Sequence, residues 1–123
     1  MAGPDLGEIR RALRDAPDVR PAHIFAGMPF VFQPERAGNV RATYLFEIEG
    51  EHGGTWTVRI ADGACEVSEG RPDRYDALIG CDAGTFLDLV FATVRPGEAF
   101  VEGRLRVAGD LALAMRFSKV MGG

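Results

Sequence analysis

The stretch from RATYLFEIEG (Arg41–Gly50) to TWTVRIADG (Thr55–Gly63) decides the fold, because its apolar and polar residues alternate. The first segment has an apolar set at Ala42, Tyr44, Phe46 and Ile48, with Leu45 as the one apolar residue of opposite parity. The second segment has the corresponding set Trp56, Val58 and Ile60. Side chains alternate between the two faces of a strand, so this pattern predicts two neighbouring strands of a sheet with one covered face.

Three further strands are predicted on the C-terminal side of this pair. Asp62-Gly63 is typical of a tight two-residue hairpin, so a short third strand follows through Cys65 and Val67. Alternation predicts two more strands, Tyr75–Asp82 and Gly103–Gly109, with Leu105 and Val107 of the latter facing inward. Strands that run together, rather than alternating regularly with helices, favour an α+β fold over a doubly wound sheet.

Helical patterns surround these strands. The first is expected to end near Asp15, before a linker, and the second begins at Pro21 and ends by Pro34. We therefore expect one domain over residues 1–123, with residues 1–20 as an N-terminal helix and linker and residues 21–123 as the core. The remaining patterns predict a helix over Thr85–Val94, entered through Asp82 or Gly84, one helical turn at Glu98–Val101, and a helix over Asp110–Met121 capped by Asp110.

The two long C-terminal helical patterns carry more apolar surface than a single packed face requires. At about 100° per residue, the apolar residues of Thr85–Val94 sweep roughly 200° and those of Asp110–Met121 roughly 220°. A helix on the surface of a small domain needs an apolar stripe of about 100° or slightly more. A second protein layer, a partner chain or an apolar ligand is therefore expected to cover the excess.

Composition excludes several functional classes. The net charge of −4 and the pI of about 5.1 argue against nucleic acid as a partner. The chain has neither a signal-peptide pattern nor an apolar run long enough to span a membrane, so we expect a soluble cytoplasmic protein. The two cysteines, Cys65 and Cys81, are expected to be free buried thiols.

Catalytic and metal-binding motifs are missing from the sequence. The only histidines, His23 and His52, are far apart, and neither cysteine lies near a histidine. There is no GxSxG nucleophile motif and no glycine-rich phosphate loop. We therefore expect no catalytic residues, no metal site and no cofactor.

The run from Phe25 to Met121 resembles the sterol carrier protein 2 (SCP-2) family of lipid-binding domains. The similarity lies in the order of FAGMPFVFQPE, YLFEIEG, GTWTVRIADG and YDALIGCDAGTFLDLV, and above all in AFVEGRLRVAGDLALAMRF (Ala99–Phe117). In the last piece the family shows a short helix, a glycine, an alternating strand and then Gly-Asp opening an apolar helix. Gly103, Leu105, Val107, Gly109, Asp110 and Leu111 match this order. Because the chain stops at Gly123, we expect a stand-alone domain of the bacterial type.

The resemblance implies a five-stranded, mostly antiparallel sheet whose helices cover one face around a hydrophobic tunnel. It also implies non-enzymatic binding of a sterol, fatty acid, fatty acyl-CoA or isoprenoid, with at most transient membrane contact. The residues expected to surround the ligand tail are Phe46, Trp56, Phe86, Leu89, Val90, Phe91, Phe100, Leu111 and Met115. Arg95 and Arg104 are candidates for contact with an anionic head group.

Two alternatives remain open at the level of sequence. One is an assembly module, for example a homodimer, in which the apolar helices meet a partner chain. The other is a small α+β isomerase or hydratase that uses an aspartate base in an apolar pocket. The second alternative requires a carboxylate that faces inward from a strand, whereas Glu47 and Asp76 have the outward parity.

Overall fold

A computed structural model describes residues 19–91 and 93–120, and the side chains of these residues except 118–120. The helices are α1 (Pro21–Val31), α2 (Pro34–Ala37), α3 (Ala83–Val90), α4 (Pro96–Val101) and α5 (Leu111–Val120). The strands are β1 (Ala42–Glu49), β2 (Gly54–Ala61), β3 (Ala64–Glu69), β4 (Ala77–Asp82) and β5 (Arg106–Gly109). The predicted N-terminal helix that ends near Asp15 lies outside the described residues.

The strands form one five-stranded sheet in the order β3-β2-β1-β4-β5. The β1–β2, β2–β3 and β4–β5 pairs are antiparallel, and β1–β4 is parallel. The prediction of an α+β fold with a mostly antiparallel sheet is confirmed. The predicted hairpin is present as well, because Asp62 and Gly63 join β2 to β3 with positive φ angles of 53° and 74°.

One face of the sheet carries the core. Side chains with the predicted inward parity are buried, among them Tyr44, Phe46, Val58 and Ile60. Helix α1 contributes Ile24, Phe25 and Met28 to the same core, and α3 contributes Phe86. The alternation in the sequence therefore identified the covered face correctly.

The connection from β3 to β4 crosses the other face, which we call the outer face. It leaves β3 where the Gly70 amide donates to the carbonyl of Thr55 (2.9 Å), and it reaches β4 where the Asp76 amide donates to the carbonyl of Thr43 (2.8 Å). The connection passes Leu45, which has the outer parity and is 0% exposed. The crossing segment thus explains why the one apolar residue that breaks the alternation is buried.

The predicted bounds of the helix after β4 were wrong. The prediction was Thr85–Val94, whereas α3 begins at Ala83 and ends at Val90. The carbonyl of Asp88 accepts from the Thr93 amide at 2.9 Å, which replaces the regular helical pattern with a wider turn. Arg95 is already extended, as expected for a residue that precedes a proline.

The strands β4 and β5 are shorter than predicted, since they begin at Ala77 and Arg106. The short helix α4 is longer than the single turn predicted at Glu98–Val101, because Pro96 provides its first residue.

Candidate functional site

An aromatic cluster lies between the helices and the covered face of the sheet. The Phe25 ring stacks on Trp56, with 4.5 Å between ring centroids, and on Phe86 at 5.0 Å. Phe46 meets Phe25 edge to face at 5.2 Å. Helix α1 therefore inserts one phenylalanine that joins residues of β1, β2 and α3, and such aromatic pairs contribute about 0.5–1.5 kcal/mol each beyond the area they bury.

Phe46 also lies between two helices. Its ring centroid is 6.3 Å from that of Phe86 on α3 and 5.0 Å from that of Phe117 on α5. Helix α3 packs on β4, β1 and α1, and α5 packs on β4, β5 and α2. Side chains from the two apolar helices thus meet at Phe46 on the covered face of the sheet.

Helix α5 carries two apolar stripes. Leu113, Ala114 and Phe117 are partly buried against the core. Leu111 and Met115, one turn apart on another side of the helix, are 52% and 69% exposed. The second stripe is part of the apolar excess that the sequence indicated, and more than half of each side chain remains exposed.

The predicted tail-contacting residues fall into three groups. Phe46, Trp56 and Phe86 are buried together in the aromatic cluster. Leu89 and Val90 are partly buried against the core, and Phe91 is half-buried at the C-terminal cap of α3. Phe100, Leu111 and Met115 are exposed on α4 and α5. The first two groups lie on α3, β1 and β2 around the aromatic cluster, and the third lies on exposed surfaces of the two helices that flank β5 in the chain.

Two aromatic residues, Phe25 and Phe117, belong to this region although the prediction of tail contacts left them out. The signal was present in the sequence, since Phe117 follows Leu113 and Ala114 at helical spacing and Phe25 continues the apolar pattern of α1. What the pattern could not show is that Phe25 would stack between Trp56 and Phe86, because those rings lie on other elements.

A buried tyrosine fastens α5 to the sheet. Tyr44 is 1% exposed, and its hydroxyl donates to the carbonyl oxygen of Leu113 at 2.9 Å. Burial raises the pKa of Tyr44 to about 12, with nearby Arg116 opposing the shift and Asp110 and Asp76 adding to it. At neutral pH this hydroxyl is therefore a protonated donor that holds α5 against β1.

A polar network fastens the segment after α4 to α3. The Arg104 guanidinium donates to Asp88 at 2.7 Å and to the Thr85 hydroxyl at 3.2 Å. Asp82 caps α3 by accepting from the Thr85 amide and hydroxyl, and the hydroxyl is the main cause that lowers the pKa of Asp82. Arg104, a sequence candidate for head-group contact, is thus already paired with a carboxylate.

The titratable groups of this region do not form a catalytic arrangement in the part of the chain that the structure describes. Glu47 pairs with Arg71 on the outer face, and Asp76 accepts from the Thr43 amide there. Cys65 and Cys81 are free thiols whose pKa burial raises to about 11. Over residues 19–91 and 93–120 no group of three or more histidine, cysteine or acidic side chains is close enough to hold a metal ion.

Gly109 and Asp110 connect β5 to α5 in a geometry that requires both residue types. Gly109 has a φ of 81°, and a Cβ there would lie 2.5 Å from the carbonyl oxygen of Asp76. The Asp110 carboxylate accepts from the Leu113 amide at 3.1 Å, which confirms its predicted role as the cap of α5.

Comparison with known proteins identifies the family. The sequence profile of the SCP-2 sterol transfer family matches residues 33–122, and the chain belongs to this family, which is known for lipid binding and transfer. Human hydroxysteroid dehydrogenase-like protein 2 is 34% identical over 82 residues, which cover 66% of this chain and 20% of the human protein. The chain thus spans about a fifth of the length of that relative.

Solved structures share the fold at low identity. A solution structure of palmitated SCP2L2 from Aedes aegypti matches with a TM-score of 0.65 and 21% identity, over 83% of this chain and 90% of that one. The stereoselective inverting sec-alkylsulfatase Pisa1 from Pseudomonas sp. matches with a TM-score of 0.71 and 13% identity, over 85% of this chain and 16% of the sulfatase. None of the helices in the described ranges is long and apolar enough to cross a membrane.

Proposed function

We propose that this chain binds a long-chain hydrophobic ligand between α3, α5 and the covered face of the sheet, and that it carries or presents this ligand without catalysing a reaction. A fatty acid, a fatty acyl-CoA, an isoprenoid or a sterol has the required apolar body. The observation that carries the proposal is that apolar side chains of two helices meet above Phe46, where Leu89 and Val90 of α3 and Leu113 of α5 are only partly buried.

The energetics of such binding are those of burial. At about 0.8 kcal/mol for each buried methylene, a twelve-carbon tail yields roughly 10 kcal/mol. Ordering the tail and removing its translational freedom costs several kcal/mol or more. We therefore expect micromolar affinity and weak discrimination between head groups. The pairing of Arg104 with Asp88 supports weak selection for an anionic head group, because that guanidinium is already neutralised.

The comparisons support a ligand of this class. The Aedes aegypti protein of similar fold was solved in a palmitated form, and the sec-alkylsulfatase contains a segment of the same fold. A non-enzymatic role is supported by the positions of Glu47 and Asp76, which lie on the outer face. Transient contact with a membrane would let the ligand enter and leave, and the exposed Phe100 and Val101 on α4 are suited to it.

The first experiment identifies what the protein carries. Organic extraction of the purified chain, followed by mass spectrometry, should release a lipid in stoichiometric amount. The purified protein should also bind a fluorescent fatty acid at micromolar concentration. If no lipid with a tail of about ten carbons or more binds at that concentration, the proposal fails and the assembly role of the apolar helices replaces it.

The second experiment places the ligand. Val90 is partly buried at the end of α3, and Val90→Trp narrows the space beside the core. We expect the affinity for the fluorescent fatty acid to fall while the free energy of unfolding stays nearly unchanged. In a filled core the same substitution would cost about 1–3 kcal/mol of stability. The matched control is Val101→Trp, because Val101 is 85% exposed and its replacement adds the same side chain on the exposed surface. Unchanged affinity in Val90→Trp would contradict the placement.

A further inference from the structure

Asp76 lies where the connection from β3 enters β4, and three of its groups are hydrogen-bonded. Its carboxylate accepts from the Thr43 amide at 2.7 Å, and its own amide donates to the Thr43 carbonyl at 2.8 Å. Its carbonyl oxygen accepts from the Asp110 amide, also at 2.8 Å. One residue of the outer face therefore joins β1 to the residue that caps α5.

The same set of hydrogen bonds continues to Leu113 in the first turn of α5. The Leu113 amide donates to the Asp110 carboxylate at 3.1 Å, and the Leu113 carbonyl accepts from the Tyr44 hydroxyl at 2.9 Å. Thr43 and Tyr44 are neighbours in β1, so these hydrogen bonds close a ring that runs from β1 through Asp76 and Asp110 to Leu113 and back to β1. Both main-chain groups of Leu113 are therefore held.

The junction between β5 and α5 packs closely against the main chain of Asp76. A Cβ at Gly109 would lie 2.5 Å from the Asp76 carbonyl oxygen and 3.3 Å from the Cα of Ala77. Gly109 is also the residue of β5 that pairs with Ala77, at the end of the ladder between β4 and β5. Because no loose loop separates Asp76 from the cap of α5, a displacement of Asp76 is transmitted to the beginning of this helix.

Leu113 is one of the side chains that border the space proposed for the ligand. It is only partly buried, and it shares its side of α5 with Phe117, whose ring centroid is 5.0 Å from that of Phe46. Helix α3, on the other side of Phe46, is held by different contacts, namely its cap at Asp82 and the guanidinium of Arg104. The hydrogen bonds of Asp76 therefore act on one of the two helices and not on the other.

We propose that Asp76 is a positioning residue for the lipid site. From the outer face of the sheet it fixes the first turn of α5, and it thereby sets where Leu113 meets the tail of the ligand. The inference rests on the proposed function, because it takes the ligand to lie between α3, α5 and the covered face. Asp76 itself does not touch the ligand, since its carboxylate is on the opposite face of the sheet. The affinity for a long apolar tail therefore depends on a carboxylate behind the sheet.

Three substitutions isolate the contribution of this carboxylate. Asp76→Ala removes the acceptor of the Thr43 amide, whereas Asp76→Asn keeps an oxygen that can accept the same hydrogen bond. The matched control is Asp73→Ala, which removes a carboxylate from the same connection between β3 and β4. Asp73 is exposed, and its side chain makes no hydrogen bond or ion pair among the residues that the structure describes.

Amide hydrogen exchange tests the positioning role without a ligand. In Asp76→Ala the amides of Leu113 and Ala114 should exchange about fivefold faster than in the natural chain, as expected for the loss of one hydrogen bond. The amides of Leu89 and Val90 in α3 should keep their rates, and Asp76→Asn should restore the rates in α5. Equal acceleration in both helices would show a general loss of stability and would overturn the proposal, and so would unchanged rates in α5.

Titration with a fluorescent straight-chain fatty acid tests the link to the ligand, at a temperature at which circular dichroism shows every variant to be folded. Asp76→Ala should bind this probe about fivefold more weakly than the natural chain, whereas Asp76→Asn and Asp73→Ala should bind it within about twofold. If the natural chain binds the probe and Asp76→Ala binds it equally well, this inference fails and the proposed function stands. If the natural chain does not bind the probe, both fail.

Discussion

The substitution Tyr44→Phe should lower the free energy of unfolding at neutral pH and raise it at alkaline pH. It removes only the hydroxyl that donates to the Leu113 carbonyl at 2.9 Å, and it leaves the buried ring in place. At pH 7 the loss of one buried hydrogen bond costs about 1 kcal/mol. The variant is therefore expected to be the less stable protein at neutral pH.

The alkaline side of the prediction follows from the raised pKa of Tyr44. The pKa is about 12 in the folded chain against about 10 in the unfolded one, and burial is the main cause. The folded state therefore holds this proton more tightly. The stability that depends on it is complete below pH 10 and is lost as the pH rises toward 12. A difference of two pKa units corresponds to a loss of about 2.7 kcal/mol in the free energy of unfolding at high pH. The variant has no hydroxyl at this position, so its stability does not fall for this reason.

The two effects cancel at a pH that can be stated in advance. Near pH 10.7 the natural chain has lost about 1 kcal/mol of its free energy of unfolding, which equals the contribution of the hydrogen bond. The curves of unfolding free energy against pH for the two proteins should therefore cross there. Above the crossing, Tyr44→Phe should be the more stable protein by about 1–2 kcal/mol. The groups that both proteins share, including Cys65 and Cys81, cancel in the comparison.

The assay is urea unfolding followed by the fluorescence of Trp56, which is the single tryptophan and is 7% exposed. Curves are collected from pH 7 to pH 12 for both proteins. A stability difference that stays constant over this range would show that the Tyr44 hydroxyl has an ordinary pKa in the folded chain. A stabilising effect of Tyr44→Phe at pH 7 would refute the assigned hydrogen bond.

Two further substitutions test the ends of the helices. Asp82→Ala should cost about 1 kcal/mol at pH 7 in urea unfolding, because the cap of α3 is lost. The cost should shrink as the pH falls through the lowered pKa of Asp82, where the natural chain loses the same contribution, and a cost independent of pH would contradict this role. Gly109→Ala should cost about 1–3 kcal/mol, since φ is 81° and its Cβ would meet the Asp76 carbonyl. A thermal midpoint equal to that of the natural chain would contradict the close approach.

Local patterns were sufficient for most of the fold. The alternation in β1 and β2 predicted which side chains face the core, and Asp62-Gly63 predicted the hairpin, because both signals act over a few neighbouring residues. It did not predict that Leu45 and Thr57 of the outer parity are buried as well. The end of α3 was missed because the turn after it depends on Thr93 bonding back to Asp88. The apolar residues Phe91 and Val94 do not reveal that α3 ends at Val90.

The candidate site was harder to predict from the sequence than the fold. Excess apolar surface on the two C-terminal helices was visible as a pattern, and the uncovered Leu111 and Met115 agree with it. The pattern could not distinguish them from Phe86, which is buried. The sequence of a helix gives the direction of each side chain about the helix axis. Whether that side chain is buried depends on which other elements pack against that side of the helix.

The sequence by itself determined the presence of the five strands, the covered face and the cap at Asp110, because each depends on residue type and short spacing. It left the entry to α3 open between Asp82 and Gly84, and the structure shows that Asp82 is the cap. Tertiary structure alone decided that Phe25 joins the sheet to α3, that Tyr44 holds α5, and that Arg104 is paired with Asp88. These contacts join residues far apart in the chain. Which residues meet depends on the order of the strands and on how the helices pack. The spacing of residues along the sequence does not give the distance between them in space.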